Sequence, residues 1–169
     1  MSRAFVNEDD VVGQPVVPPR ASLPPGVPNY VTARGLELLH AERAELEAER
    51  ARIDADRSDE AERTRGLNYI SIRLADLSAR ISSARLVKSE NQPQDEVRFG
   101  AAVTLRTRTG EERRFTIVGV DEASASEGRI AFTAPVARAI LGMRVGEEAT
   151  LRTPRGEEVL EVVAINYPL

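Results

Sequence analysis

The chain has no cysteine, no tryptophan and a single histidine among its 169 residues, and aromatic residues make up only 4% of it. Without cysteine there is neither a disulfide framework nor a thiolate metal site. The lone His40 lies off the apolar stripe of its segment and reads as solvated, not as a ligand. No run approaches the ~18 apolar residues of a membrane span. The first residues lack the apolar core of a secretory signal, so a soluble, cytoplasmic protein is expected. Lysine is almost absent: Lys88 is the only one, and the rest of the basic charge is arginine. The formal net charge is −4, whereas a free-standing nucleic-acid binder is usually basic. Contact with RNA or DNA is therefore expected only through a local patch or inside a complex organised by a partner.

What is present divides into three compositions. Residues 1–29 carry Pro15, Pro18, Pro19, Pro24, Pro25 and Pro28 with few apolar residues, and are expected to be a disordered tail. Within it Glu8, Asp9 and Asp10 make an acidic cluster, and Phe5 and Val6 are a conceivable docking pair. From Thr32 the pattern becomes helical. Leu36, Leu39, Leu46 and Ile53 fall at 3-4 heptad spacing, with Arg43 and Arg50 at the intermediate seam positions. After a charged break the stripe resumes at Leu67, Ile70, Leu74, Leu77, Ile81 and Ala84. Two stripes with a short break predict an antiparallel helical hairpin over residues 30–88, with Leu39 facing Ile81, Leu46 facing Leu74 and Ile53 facing Leu67. Thr32 is a good N-cap for the first helix, with Val31 and Leu36 as its hydrophobic staple. Asp59 with Glu62 starts the second helix, which is expected to run to about Leu86.

Residues 89–96 are polar and read as a linker. From Val97 the period changes to two: Val103, Leu105 and Thr107 alternate with Thr104, Arg106 and Arg108, and Phe115 and Ile117 continue the inner face after a turn at Thr109-Gly110. Ile130 and Phe132 mark a short strand. Pro135 opens a short helix that Gly142 closes, and Val159 to Tyr167 is the last strand. The fold class is thus α+β: a coiled-coil hairpin, then an antiparallel β-domain with one short helix over residues 97–169.

In order along the chain stand Asn29-Tyr30-Val31-Thr32, Phe99-Gly100-Ala101-Ala102-Val103, Ile117-Val118-Gly119, Ala134-Pro135-Val136-Ala137-Arg138-Ala139-Ile140-Leu141-Gly142, Val145-Gly146-Glu147, Thr153-Pro154-Arg155-Gly156 and Ile165-Asn166-Tyr167. Together they resemble the Gre family of bacterial transcript cleavage factors, with Gly35 to Leu39 resembling its GreB branch. The resemblance covers about residues 29–167. It implies a coiled-coil arm and an FKBP-like domain that docks on RNA polymerase at the rim of its secondary channel. It further implies that acids at the arm's tip help hold a Mg²⁺ ion at the polymerase's own active site, so the factor is expected to have no catalysis and no cofactor of its own. One departure stands out. The family's acidic Asp-x-x-Glu-Asn-Ala-Glu-Tyr-like tip is absent, Arg57 stands where an Asn is expected, and each arm helix is about two turns shorter.

The candidate residues follow. Asp54, Asp56, Asp59 and Glu60 are the tip acids, suited to Mg²⁺ because carboxylates are hard oxygen ligands; the plain alternative is a solvated turn with Asp59 as a helix cap. Arg106, Arg108 and Arg114 share an outward sheet face and are candidates for RNA contact or for an acidic polymerase surface; a solvated charged face is the alternative. Residues Pro135 to Gly142, with Val145, resemble the family's docking region; within it Arg138, Met143 and Arg144 are the contact candidates, while Ala137, Ile140 and Leu141 are expected in the core. The expected partner is RNA polymerase, bound by a monomer, with nascent RNA or DNA met only in that complex. If the short arm does not reach the active site, the protein is expected to occupy the channel and regulate or inhibit without stimulating cleavage. Two remoter readings are an FKBP-type prolyl isomerase, disfavoured by the scarcity of aromatics, and a coiled-coil adaptor.

Overall fold

A computed structural model describes residues 15–168. Phe5, Val6 and the cluster Glu8 to Asp10 lie outside the described residues.

The helical hairpin forms where the two stripes predict it. Helix α1 spans Ala33–Ala55 and α2 spans Glu60–Ser83. At 1.5 Å per residue each is about 35 Å long. Thr32 caps α1 by accepting the Gly35 N–H at 2.9 Å, and Asp59 caps α2 by accepting the Glu62 N–H at 3.0 Å. Leu39, Leu46, Ile70 and Leu77 are buried in the seam together with Val31, and Leu36, Ile53, Leu74, Ile81 and Ala84 flank them. Burying each of these four seam side chains contributes roughly 1.5–3 kcal/mol. Near the tip, a Cβ on Gly66 would lie 3.1 Å from Ile53 Cγ2, so Gly66 lets the helices close against Ile53. Of the two seam arginines, Arg43 is half-buried and Arg50 exposed, as expected if the stems lie on the seam and the charges reach water.

The second helix ends three residues before the expected Leu86. Ala84–Leu86 form strand β2, which pairs in parallel with β1 (Asn29–Val31). The buried Asn29 supplies the reason: its Nδ2 donates to Arg80 O at 2.9 Å and to Ser83 Oγ at 3.2 Å, satisfying a carbonyl of the last turn and turning the chain into an extended path. Entry and exit of the arm are thereby stitched together.

The second layer is a five-stranded sheet of order β5-β4-β3-β7-β6, formed by β3 (Ala102–Thr107), β4 (Glu112–Val118), β5 (Arg129–Ala131), β6 (Glu148–Thr153) and β7 (Gly156–Asn166). Val103, Leu105, Ile117, Leu160 and Val162 point to one face, where Ala137 and Ile140 of the short helix α3 (Pro135–Ile140) cover them. The sheet is mixed and not wholly antiparallel, because β5 runs parallel to β4. The loop 119–128 carries the chain back to the start of β4's outer edge, so β5 sets out in the same direction; Phe132 falls just beyond it.

Two expected connections are more ordered than their compositions suggest. The linker's end is held to the β-domain: the Tyr167 hydroxyl donates to Glu96 O at 2.5 Å, and Arg144 binds the Glu96 carboxylate at 3.1 Å. Residues 15–28, expected as part of a disordered tail, carry no helix or strand but lie against the folded body. Arg20, in their middle, binds Glu42 of α1 and Asp121 of the β-domain, so a charged side chain anchors a segment whose composition offers no core.

Candidate functional site

The arm meets the sheet domain at a base of mixed character. Tyr30 sits between Phe99 and Phe132, with ring centroids 5.9 and 5.6 Å away. Gly119 passes so close that a Cβ there would stand 2.6 Å from Tyr30 O. Beside it the loop after β4 offers two acids. Glu122, 7% exposed, accepts the Thr32 hydroxyl at 2.5 Å and pairs with Arg34 at 3.2 Å. A negative charge beside the first turn of α1 also suits the helix dipole. Asp121 receives Arg20 at 3.0 Å and lies 3.2 Å from Arg80 Nη1. The sequence reading treated this stretch as a polar loop. Its only signal was an Asp-Glu pair three residues past the end of a β-strand.

At the far end of the arm, each tip acid has a local partner. Asp56 accepts both the Ser58 hydroxyl (2.6 Å) and the Ser58 N–H (2.9 Å), and these bonds hold its carboxyl below the usual carboxylate range. Asp59 is the α2 cap. Arg63 lies between Asp54 and Glu60, hydrogen-bonded to the side chains of both and to Asp54 O. Among the described residues no three acids or histidines converge on a point that could hold a metal ion. The tip therefore does not fit a resident Mg²⁺, although Asp54 and Glu60 stay largely exposed to water.

The three sheet arginines are brought to one face only in part. The register places Thr104 opposite Arg114 and Arg106 opposite Glu112, so Arg106 and Arg114 share the outer face, while Arg108 lies past the strand in the turn. Arg106 is paired with Glu112 at 2.9 Å and stands 4.0 Å from Glu161. Arg108 and Arg114 are exposed without an ion pair among the described residues. The face is mixed in charge, not a basic patch.

The α3–β6 connection differs from expectation in a more useful way. Ala137 and Ile140 are fully buried, but Leu141 is 38% and Val145 59% exposed. Gly142, at φ +85°, turns the chain sharply after α3 and so swings Leu141 out of the core. Arg138 is exposed and Met143 half-buried beside the core. Arg144 is engaged internally: Glu96 binds it at 3.1 Å and Asp95 stands 3.6 Å away. Hydrogen bonds from Arg144 first, and then Arg98, hold the Glu96 carboxyl below its ordinary range. Leu141 was expected in the core on helical spacing alone, whereas Val145 lies in the stretch that resembles the family's docking region without being singled out as a contact.

A family model described as "Transcription elongation factor, GreA/GreB, C-term" matches residues 92–167. That range is the sheet domain with the end of the linker. Over the arm, sequence relatives decide. Transcription elongation factor GreB of Pseudomonas aeruginosa is 38% identical over 116 residues, 67% of this chain and 69% of that protein. GreB of Neisseria meningitidis is 32% identical over 153 residues, 82% of this chain and 94% of its own length. The chain belongs to the GreA/GreB family of transcription elongation factors. GreA of Syntrophotalea carbinolica matches at 37% identity over 116 residues, so the similarity extends to both named branches of the family. Among solved structures, a GreA/GreB factor from Nitrosomonas europaea overlays with a TM-score of 0.41 at 22% identity, covering 82% of this chain and 98% of that one. Family members are named as elongation factors, and the resemblance drawn from the ordered motifs stands. No helix among the described residues is long and apolar enough to cross a membrane.

Proposed function

We propose that this protein binds RNA polymerase and regulates elongation by placing its helical arm in the secondary channel. Leu141 and Val145, flanked by Arg138 and Met143, form the docking surface on the sheet domain. The observation that carries the reading is this exposed apolar pair within the α3–β6 connection of a GreA/GreB-family chain. Exposed apolar side chains ringed by arginine and methionine are the composition of protein interfaces. Arg108 and Arg114 are the remaining candidates for contact with nascent RNA or DNA, inside the polymerase complex only. A single copy of the chain suffices for this mode of action.

A second reading concerns what the arm does once inserted. Local engagement of Asp54, Asp56, Asp59 and Glu60 favours a factor that occupies the channel without stimulating cleavage. For cleavage assistance, Asp54 and Glu60 would have to leave Arg63 and offer their oxygens to a Mg²⁺ whose other ligands come from the polymerase.

The test uses backtracked elongation complexes made with the cognate polymerase. Wild type, Val145→Glu and an Asp56→Ala/Asp59→Ala double variant are compared for binding and for RNA cleavage. Val145→Glu is expected to lose binding with its unfolding midpoint unchanged. If wild type and the double variant bind alike and neither accelerates cleavage, the arm acts as a channel occupant. If only the wild type accelerates cleavage, the tip acids take part. Undiminished binding by Val145→Glu removes the proposed docking surface.

A further inference from the structure

We propose that residues 15–28 are a strap that fixes the angle between the helical arm and the sheet domain, with Arg20 as its fastening. The arm's covalent and packing attachments all lie at its base: β1 and β2, Thr32 against Glu122, and Tyr30 between Phe99 and Phe132. Such a base acts as a pivot, and a 35 Å lever on a pivot needs bracing farther out.

Arg20 supplies it. Its Nη1 and Nη2 donate to the two carboxylate oxygens of Glu42, at 2.8 and 3.0 Å. Glu42 lies ten residues along α1 from Thr32, about 15 Å up the arm. The same guanidinium donates through Nε and Nη2 to Asp121 Oδ1, at 3.2 and 3.0 Å. One planar fork thus joins arm and sheet domain, a geometry that arginine holds and the point charge of lysine does not. The second helix is tied to the same place. Arg80 Nη2 donates to Ala21 O at 2.6 Å, and its Nη1 faces Asp121 Oδ2. The side chains of Arg20, Arg80 and Asp121 are 20%, 13% and 10% exposed, so these pairs are screened less than surface ones.

Strap, arm and sheet domain together wall an open pocket of about 450 Å³, with Pro18 and Pro19 on one side, Tyr69 and Arg73 of α2 on another, and Val120 and Ala123 of the loop. Arm and sheet domain touch here through the Arg80–Asp121 pair, and the strap adds a second link beside it. Pro18, Pro19, Pro24 and Pro25 lower the entropy lost in holding such a segment extended.

The absence of cysteine makes the test direct. Spin labels at Arg57→Cys on the tip and Arg155→Cys on the β6–β7 turn of the full chain report the arm-to-domain distance by pulsed electron resonance, with no polymerase present. The unaltered strap is expected to give one narrow distance distribution. Arg20→Ala is expected to broaden it, Arg20→Glu to broaden it further, and Arg20→Lys to fall between wild type and Arg20→Ala. Circular dichroism confirms that each variant keeps its helices. Should Arg20→Ala not fold, the comparison of Arg20→Lys with wild type decides. An unchanged distribution in the folded variants overturns the proposal and leaves the base alone to set the angle.

Discussion

Of the chain's three adjacent Asp-Glu pairs, two stand in opposite situations. Asp59-Glu60 stands at the arm's tip, in water, with roles completed inside a single turn: one caps α2 and the other meets Arg63 one turn on. Asp121-Glu122 stands at the arm's base, largely buried, and its partners come from residues 20, 32, 34 and 80, distant in sequence. The same two side chains serve local helix initiation in one place and long-range assembly in the other. What separates them is desolvation. A carboxylate in water gains little from a cation, whereas a buried one must be paired. The base acids therefore hold tertiary structure, whereas the tip acids complete only their own turn.

That contrast can be broken by substitution. The largest effect is expected from Gly119→Ala at the base. Its new Cβ would overlap the Tyr30 carbonyl, a backbone atom that cannot swing aside. A loss of about 3 kcal/mol in urea unfolding is expected, as for an overpacked core; an unchanged midpoint shows that arm and sheet domain separate without cost. Glu122→Ala comes next. It removes the acceptor of the Thr32 hydroxyl and the partner of Arg34, with an expected loss of roughly 1–3 kcal/mol in the same assay. At the tip, Asp59→Ala is expected to cost about 1 kcal/mol, the worth of an N-cap. A larger loss there than at Glu122 would reverse the ordering of the two pairs.

Acid sharpens the comparison further. The Arg20 hydrogen bond, partly opposed by burial, holds the Glu42 carboxyl below its ordinary range. A depressed folded value means stability that is fully present above the unfolded value of about 4.3 and is lost as pH falls through the folded one. The gap in melting temperature between wild type and Arg20→Ala is thus expected to be open at neutral pH and to close on acidification below about pH 4. The smallest effect belongs to Asp56. Ser58→Ala is expected to return its carboxyl toward the ordinary value in an NMR titration while leaving the melting temperature unaltered.

Much of the arm was legible in the residues because its signals are local. The heptad spacing of Leu39 to Leu46 and of Ile70 to Leu77, and the caps at Thr32 and Asp59, act within a turn or two of their own positions. The alternation of Val103 to Arg106 declared a half-buried strand for the same reason. The errors fell where a distant group competed. Asn29 ended α2 at Ser83, Gly142 turned Leu141 outward, and Arg20 drew a proline-rich segment onto the folded surface. Of the candidate site residues, the tip acids lie in or beside the turn between α1 and α2, and their engagement by Ser58 and Arg63 was not visible in the sequence. Nor was the neutralisation of Arg106 and Arg144 by Glu112 and Glu96.

By itself, then, the amino-acid order determined two helices with a matched seam, a strand-rich second half and a family membership carried by ordered motifs. These follow from periodicity and turn chemistry, which need only neighbouring residues. Tertiary structure alone decided which charges are spent. Whether an arginine or an aspartate is available to a partner depends on the ion that folding brings within 3–4 Å of it, and spacing along the chain does not encode that distance.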